Sequence, residues 1–278
     1  DIVNLHLRYS TIGKDDEGSF LFNAQPMVIN PKDEDATSDL SFAISHNGHV
    51  FSKLVRKRPK YETDIKQIGF PIYETLSSGY DEEKFVKGVK KMMKQTKGSY
   101  SFAGILYDPE EHSKVMFFGR DPFGIRPLYM ADIEGGGMAV ASEDIFFHNL
   151  EVGEEKRRRC ENIRKVQPGT LYIYDGKYLK SVKINQKEEM ECAFEYVYFS
   201  SYGRNGVIDA RKGLGRQLWK ESPVKADMIV PIPDSGKIHA QGVSEISNIP
   251  LVEALVRNRY KGLRSFILPN LSLIHISE

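Results

Sequence analysis

The stretch Ala43-Ile44-Ser45-His46-Asn47-Gly48-His49-Val50 sets an asparagine side-chain amide directly beside a glycine main-chain N–H. Two adjacent donors of this kind can hold the charge that develops on a carbonyl oxygen under nucleophilic attack. The same dipeptide is the strongest short hairpin signal, because both residues tolerate the positive φ of a type I′ turn, and spacing alone favours the turn. Arg8, in LRYSTIG, could grip a carboxylate through two parallel hydrogen bonds or form an exposed ion pair. Asp64, in YETDIKQ, suits either a helix N-cap or a substrate ammonium. The run from Arg120 to Leu128, RDPFGIRPL, holds three charged groups on a turn fixed by proline and glycine, and reads as a structural turn with internal ion pairs. The seven histidines show no metal-ligand spacing, and there is no GxSxG elbow or Walker loop. Cys160 and Cys192 fit no zinc pattern and make no disulfide framework, which is consistent with a reducing compartment.

The elements that would position these groups follow from periodicity. The 278 residues, 40% hydrophobic and 28% charged, suit a globular protein of about two domains. A net charge of +1 implies no nucleic-acid partner, and no apolar run approaches a membrane span. Residue 1 is Asp, and no signal peptide opens the chain. Short strands are predicted at Val3–Tyr9, Leu40–Ser45, Ser101–Tyr107, Val115–Gly119, Met138–Ser142 and Thr170–Tyr174. Helices are predicted at Glu82–Lys94, with Phe85, Val89, Met92 and Met93 on one stripe, and over 62–76. This is an α+β layer architecture built on largely antiparallel sheet. FEYVYF, residues 194–199, reads as an aromatic core strand. Beyond it, a helix over Ala210–Glu221 precedes a strand–turn–helix–strand unit. Its parts are Met228–Pro233, the turn Asp234-Ser235-Gly236, a helix with Ile238, Val243 and Ile246, and Pro250–Val256. Such a βαβ unit implies parallel sheet, and its turn, at a helix amino end, favours phosphate-like anions. The polar stretch Lys183–Glu191 is the expected boundary between the two parts.

In this order LRYST, FNAQP, SHNGHV, GSYSF, GRDPFGIRPLYM, ASED, VQPG, CAFEYVYFSS, ARKGLG, VPIPDSG and NRYKG resemble the amidophosphoribosyltransferases from about residue 2 to Pro269. The resemblance implies an N-terminal nucleophile hydrolase-type sandwich of mostly antiparallel sheets with helices, the glutaminase domain, over residues 1–185. It implies the start of an α/β phosphoribosyltransferase domain over 192–270. The implied reaction moves the amide nitrogen of glutamine to phosphoribosyl pyrophosphate, giving 5-phosphoribosylamine, the first committed step of de novo purine synthesis. The resemblance makes Asn47 and Gly48 the oxyanion hole, as well as a hairpin-like turn. It gives Arg8 the glutamine carboxylate and Asp64 its ammonium. Asp234, Ser235, Gly236 and Arg259 fall in the vicinity of the phosphoribosyl or regulatory nucleotide sites. It further implies a cytoplasmic homo-oligomer that uses Mg2+ and is regulated by purine nucleotides.

Departures accompany the resemblance. The family's nucleophile is a cysteine at the very N-terminus, and neither Cys160 nor Cys192 can take that place. Cys192 lies where some members carry an iron–sulfur ligand and others keep a cysteine without a cluster. The acidic magnesium loop of the family is expected outside this chain. Residues 271–278, LSLIHISE, resemble translated sequencing-adapter read-through and are expected to be foreign to the gene. On this reading the chain is an inactive central fragment of the enzyme. Two rivals stand beside it. One is a glutamine amidotransferase of asparagine-synthetase type, which the first half also resembles. The other is a non-catalytic regulator that binds glutamine or nucleotide.

Overall fold

The computed structural model describes residues 3, 4, 6, 25–31, 33, 36, 38–52, 63–77, 79–148 and 159–256. Two compact units divide the chain between Ala193 and Phe194.

In the first unit, strands β1 (Met27–Ile29), β2 (Ser41–Ser52), β3 (Thr96–Asp108), β4 (Ser113–Arg120), β8 (Thr170–Tyr174) and β9 (Leu179–Lys183) form a six-stranded sheet in that order. Strands β5 (Tyr129–Ile133), β6 (Met138–Ala141) and β7 (Cys160–Lys165) form a second sheet ordered β6-β5-β7. The strand pairings in both sheets are antiparallel among the described residues, as expected from the short alternating runs. Among the described residues the helices of this unit are α1 (Asp64–Tyr73), extended by a 3-10 turn over Glu74–Leu76, α2 (Glu82–Gln95) and the short α3 (Ile145–His148).

Helix α2 forms where predicted. The Asp81 carboxylate caps it by accepting the Lys84 N–H at 2.8 Å, and Glu82 and Glu83 complement the positive end of the helix dipole. Its apolar stripe, Phe85, Val89, Met92 and Met93, is buried in one core with Ile65, Ile68 and Ile72 of α1 and Phe42 and Ile44 of β2. The contact between α1 and the sheet is close at Gly69, where a β-carbon would meet the Met27 methyl at 2.3 Å. A smaller core joins Phe118, Leu128, Met130, Val166 and Tyr172, with Phe118 and Tyr172 stacked at 5.2 Å.

Two expectations in the second unit are corrected. FEYVYF is no strand: Glu195–Phe199 is a turn of π-helix, and Phe194, Tyr198 and Phe199 are exposed rather than core. Buried arginines hold it. Arg211 donates to Tyr196 O at 2.6 Å and to Ser200 O at 2.8 Å, while Arg204 donates to Ser200 Oγ at 2.8 Å and faces Glu195. The predicted strands Met228–Pro233 and Pro250–Val256 shrink to one parallel bridge, Ile229 to Leu251. Pro231, Pro233 and Pro250 have no N–H to extend a ladder. The helices α4 (Val207–Glu221) and α5 (Gly236–Ser247) form as read, with α4 starting three residues earlier. They pack through glycines, since a β-carbon on Gly215 would meet His239 O at 2.0 Å and one on Gly242 would meet Lys212 O at 2.1 Å.

Candidate functional site

Asn47-Gly48 is not a hairpin turn. It lies in the middle of β2, where Asn47 faces Ser101 and Gly48 faces Tyr100 of β3. Local turn preference loses here to a ladder supplied by residues some fifty positions away. Gly48 keeps the glycine-favouring backbone of the turn reading, with φ +133°, but for another reason. A β-carbon there would lie 2.0 Å from Ser99 O and 2.8 Å from Tyr100 Cα.

The hydrogen-bond direction at Gly48 follows from its partner. Tyr100 directs both main-chain groups to Asp121: its N–H donates to Asp121 Oδ2 at 3.2 Å, and its C=O accepts the Asp121 N–H at 2.8 Å. In an antiparallel ladder a residue bonded on one side faces its other neighbour as a non-hydrogen-bonded pair. The Gly48 N–H is therefore directed away from β3, toward the outer edge of β2. The residues on either side at the same parity obey the rule. His46 N–H donates to Gln25 Oε1 at 2.6 Å, and Val50 N–H points to Asp64 Oδ2 at 3.4 Å. Strand β1 pairs only as far as Ile44 and does not reach Gly48. The exposed Asn47 side chain stands one position away on the opposite face of the strand, next in line to Ser45.

Asp64 thus meets the same edge as Asn47-Gly48. It occupies the first position of α1 rather than the N-cap, which is Thr63. On the second face Ser45 Oγ donates to Asn4 Oδ1 at 2.9 Å. Arg8 lies outside the described residues, and so does Arg259.

The RDPFGIRPL turn supports β3 from the far side. Asp121 is fully buried, and its carboxylate accepts the N–H groups of Tyr100, Phe123 (2.9 Å), Ile125 (3.0 Å) and Arg126 (3.4 Å). Burial pushes this carboxyl above its usual range, against the pull of those hydrogen bonds and of Arg120. Arg120 is equally buried. It donates to Arg126 O at 2.8 Å, to Val166 O at 2.7 Å, to Gly124 O and to Glu189 Oε1 at 2.9 Å. The expected internal ion pairing of the turn is mostly main-chain binding instead. The polar stretch expected as a boundary lies along this turn: Lys187 N–H donates to Pro122 O and Met190 N–H to Phe123 O, each at 2.9 Å.

In the second unit Asp234, Ser235 and Gly236 lie together before and at the start of α5, and Tyr202 donates its hydroxyl to Asp234 O. Cys192 is a partly exposed free thiol. Among the described residues no group of three or more His, Cys, Asp or Glu side chains could hold a metal ion. Also among them, no helix is long and apolar enough to cross a membrane. Gln25 and Tyr100 were not singled out from sequence. Each lies within a quoted motif, FNAQP or GSYSF, but Gln25 meets His46 and it is strand register that sets Tyr100 against Gly48.

Known proteins resemble this chain in sequence and fold. A family model described as a glutamine amidotransferase domain matches residues 21–149. Across 95% of the chain, the sequence is 33% identical to an amidophosphoribosyltransferase of Methanothermobacter thermautotrophicus, covering 52% of that protein. It is 30% identical to the Bacillus subtilis amidophosphoribosyltransferase, over 96% of this chain and 53% of that one. A solved structure of glutamine phosphoribosylpyrophosphate amidotransferase from B. subtilis, complexed with ADP and GMP, superposes with a TM-score of 0.71. It is 28% identical, and the match covers 98% of this chain and 55% of that one. The chain spans about half the length of the curated relatives it matches.

Proposed function

We propose that this chain, whose sequence and fold are of the amidophosphoribosyltransferase type through both units, is part of an enzyme that moves the amide nitrogen of glutamine onto phosphoribosyl pyrophosphate. The supporting observation is the span of the match, which at 30–33% identity covers 95–96% of the chain and so includes both units. A glutamine amidotransferase of asparagine-synthetase type would account for the first unit only.

The residues take these roles. As a nucleophile adds to the side-chain amide carbon of glutamine, charge gathers on the amide oxygen. Asn47 Nδ2 and the outward Gly48 N–H are the donors for that oxygen. Asp64, on the same edge, is the acceptor for the substrate ammonium, and Arg8 the partner of its carboxylate. Collapse of the tetrahedral adduct releases ammonia. In the second unit Asp234, Ser235 and Gly236, at the amino end of α5, and Arg259 belong to the phosphorylated-sugar or nucleotide side. Ammonia attacks C1 of the sugar, pyrophosphate leaves, and 5-phosphoribosylamine forms. Purine nucleotides are the proposed regulators, magnesium the proposed cofactor of the sugar step, and a cytoplasmic homo-oligomer the proposed form.

The test uses the native reading frame expressed whole. Glutamate and pyrophosphate are expected to appear in equal amounts from glutamine and phosphoribosyl pyrophosphate, and ammonia should replace glutamine as nitrogen donor. Glutamine-dependent formation of asparagine and AMP from aspartate and ATP, with no use of phosphoribosyl pyrophosphate, would overturn this reading.

A further inference from the structure

We infer that Asp121 is a positioning residue for the Gly48 N–H, acting through the main chain of Tyr100. The inference rests on the glutaminase role proposed for Gly48, and its evidence is a contact chain across β2, β3 and the turn after β4. Asp121 holds Tyr100 by both main-chain groups, at 3.2 and 2.8 Å. Tyr100 in turn lies against Gly48 so closely that no β-carbon fits between them. Any shift of Tyr100 therefore shifts Gly48.

The carboxylate also fixes its own position. Three further N–H groups, those of Phe123, Ile125 and Arg126, close the turn on it. The Asp121 C=O accepts Gly124 N–H and Gly169 N–H, both at 3.0 Å. Next to it Arg120, paired with Ser101 across β3 and β4, is clamped by Glu189 from the 184–191 segment. A rigid, fully buried acceptor thus stands directly behind the strand that seats the proposed oxyanion donor. A misplacement of about an ångström at such a donor is enough to cost on the order of 100-fold in rate. Neither Asp121 nor Tyr100 need touch the substrate for this.

The experiment compares Asp121→Asn with the parent in the whole native protein. Asn offers one acceptor oxygen in place of two and sets an NH2 against at least one main-chain N–H, so whichever way the amide lies, the turn that seats Tyr100 is loosened. The expected result is a fall of about 10-fold or more in glutamine-dependent kcat. The KM for glutamine should stay within about twofold, and ammonia-dependent synthesis should be unchanged. Equal loss of the glutamine- and ammonia-dependent rates, or no loss of either, overturns the inference. Amide hydrogen exchange gives a readout independent of activity: exchange of the peptide over 43–50 should rise, while that over 138–148 should not. A rise at both, or at neither, counts against the inference even if the parent lacks glutaminase activity, an outcome that would itself sink the functional reading. If Asp121→Asn does not fold, Glu189→Gln carries the same comparison. It changes a partly exposed residue and should shift kcat and exchange in the same directions by about two- to threefold. No shift in that variant overturns the inference.

Discussion

Arg120 and Glu189 are 69 residues apart in sequence and meet at 2.9 Å, with side chains 1% and 37% exposed. Glu189 also accepts Lys165 Nζ at 2.8 Å. The pair ties a buried guanidinium to the segment that follows β9. Removing one partner of a fully buried pair costs about 3–5 kcal/mol. Here the cost should be smaller, because Arg120 keeps three carbonyl acceptors and Glu189 is open to water. Glu189→Ala is expected to destabilise the first unit by about 1–2 kcal/mol, read as a lower urea midpoint at unchanged slope.

The same pair sets a pH dependence. Burial pushes the Glu189 carboxyl upward, but hydrogen bonds from Lys165 and Arg120 outweigh it and hold the group below its usual 4.5. A lowered carboxylate contributes stability above its unfolded value and loses it as pH falls through the folded one. The stability gap between the parent and Glu189→Gln should therefore be constant near neutrality and narrow below about pH 4.5. Asp121, raised by burial, has the opposite sign and is present in both proteins, so the comparison isolates Glu189. A gap that widens on acidification would contradict the assignment.

Gly48→Ala should be severe for two reasons acting together, the φ of +133° and the 2.0 Å approach to Ser99 O. The backbone of a paired strand cannot move aside as a flexible side chain can. A loss on the order of 3 kcal/mol is expected. Thermal denaturation checks it, with Gly136→Ala as the comparison. Gly136 has φ +110° but nothing within 4 Å, so that variant should lose less.

These contacts show what the sequence could and could not disclose. Helix α2 was legible because its cap, Asp81, and its stripe from Phe85 to Met93 are local features. Strands β2, β3, β4, β6 and β8 were legible from their apolar runs, though not their ends, since Leu40–Ser45 runs on as β2 to Ser52; β1, β5, β7 and β9 were not, and the predicted strand Val3–Tyr9 lies largely outside the described residues. Asn47-Gly48 was misread as a turn because local dihedral preference was the only information in the window. Its actual partners, Tyr100 and Ser101, enter through register. FEYVYF failed similarly. Its composition says strand, while Arg204 and Arg211, beyond any short window, hold Glu195–Phe199 in a π-helical turn. Asp121 was visible as a turn residue, but its grip on Tyr100 was not.

Helix α4 offers a contrast within one turn. Gly213 has open space where a β-carbon would go, whereas Gly215 is pressed against His239 O of α5. Gly213→Ala should stabilise the second unit by about 0.5–1 kcal/mol, through helix propensity and a less flexible unfolded chain. Gly215→Ala should destabilise it by about 2–3 kcal/mol, because the two helices must separate. Chemical denaturation followed by far-UV circular dichroism distinguishes the signs, and equal effects would mean that the close helix approach does not govern this unit.

Asn47 separates chemistry from stability most cleanly. Its side chain is exposed and its place in β2 is fixed by the main-chain ladder to Ser101, so Asn47→Ala should change stability by less than about 0.5 kcal/mol. If the side-chain amide and the Gly48 N–H share the oxyanion, losing one donor should lower glutamine-dependent kcat by about 100- to 1000-fold. Ammonia-dependent synthesis should be untouched, since ammonia needs no amide hydrolysis. Asn47→Asp is the sharper probe. It keeps the size of the side chain but replaces the donor with a negative charge facing a developing negative charge, so it should fall at least as far as alanine. If aspartate retained substantially more glutaminase activity than alanine, side-chain volume would be what matters at this position, and the donor role would be wrong.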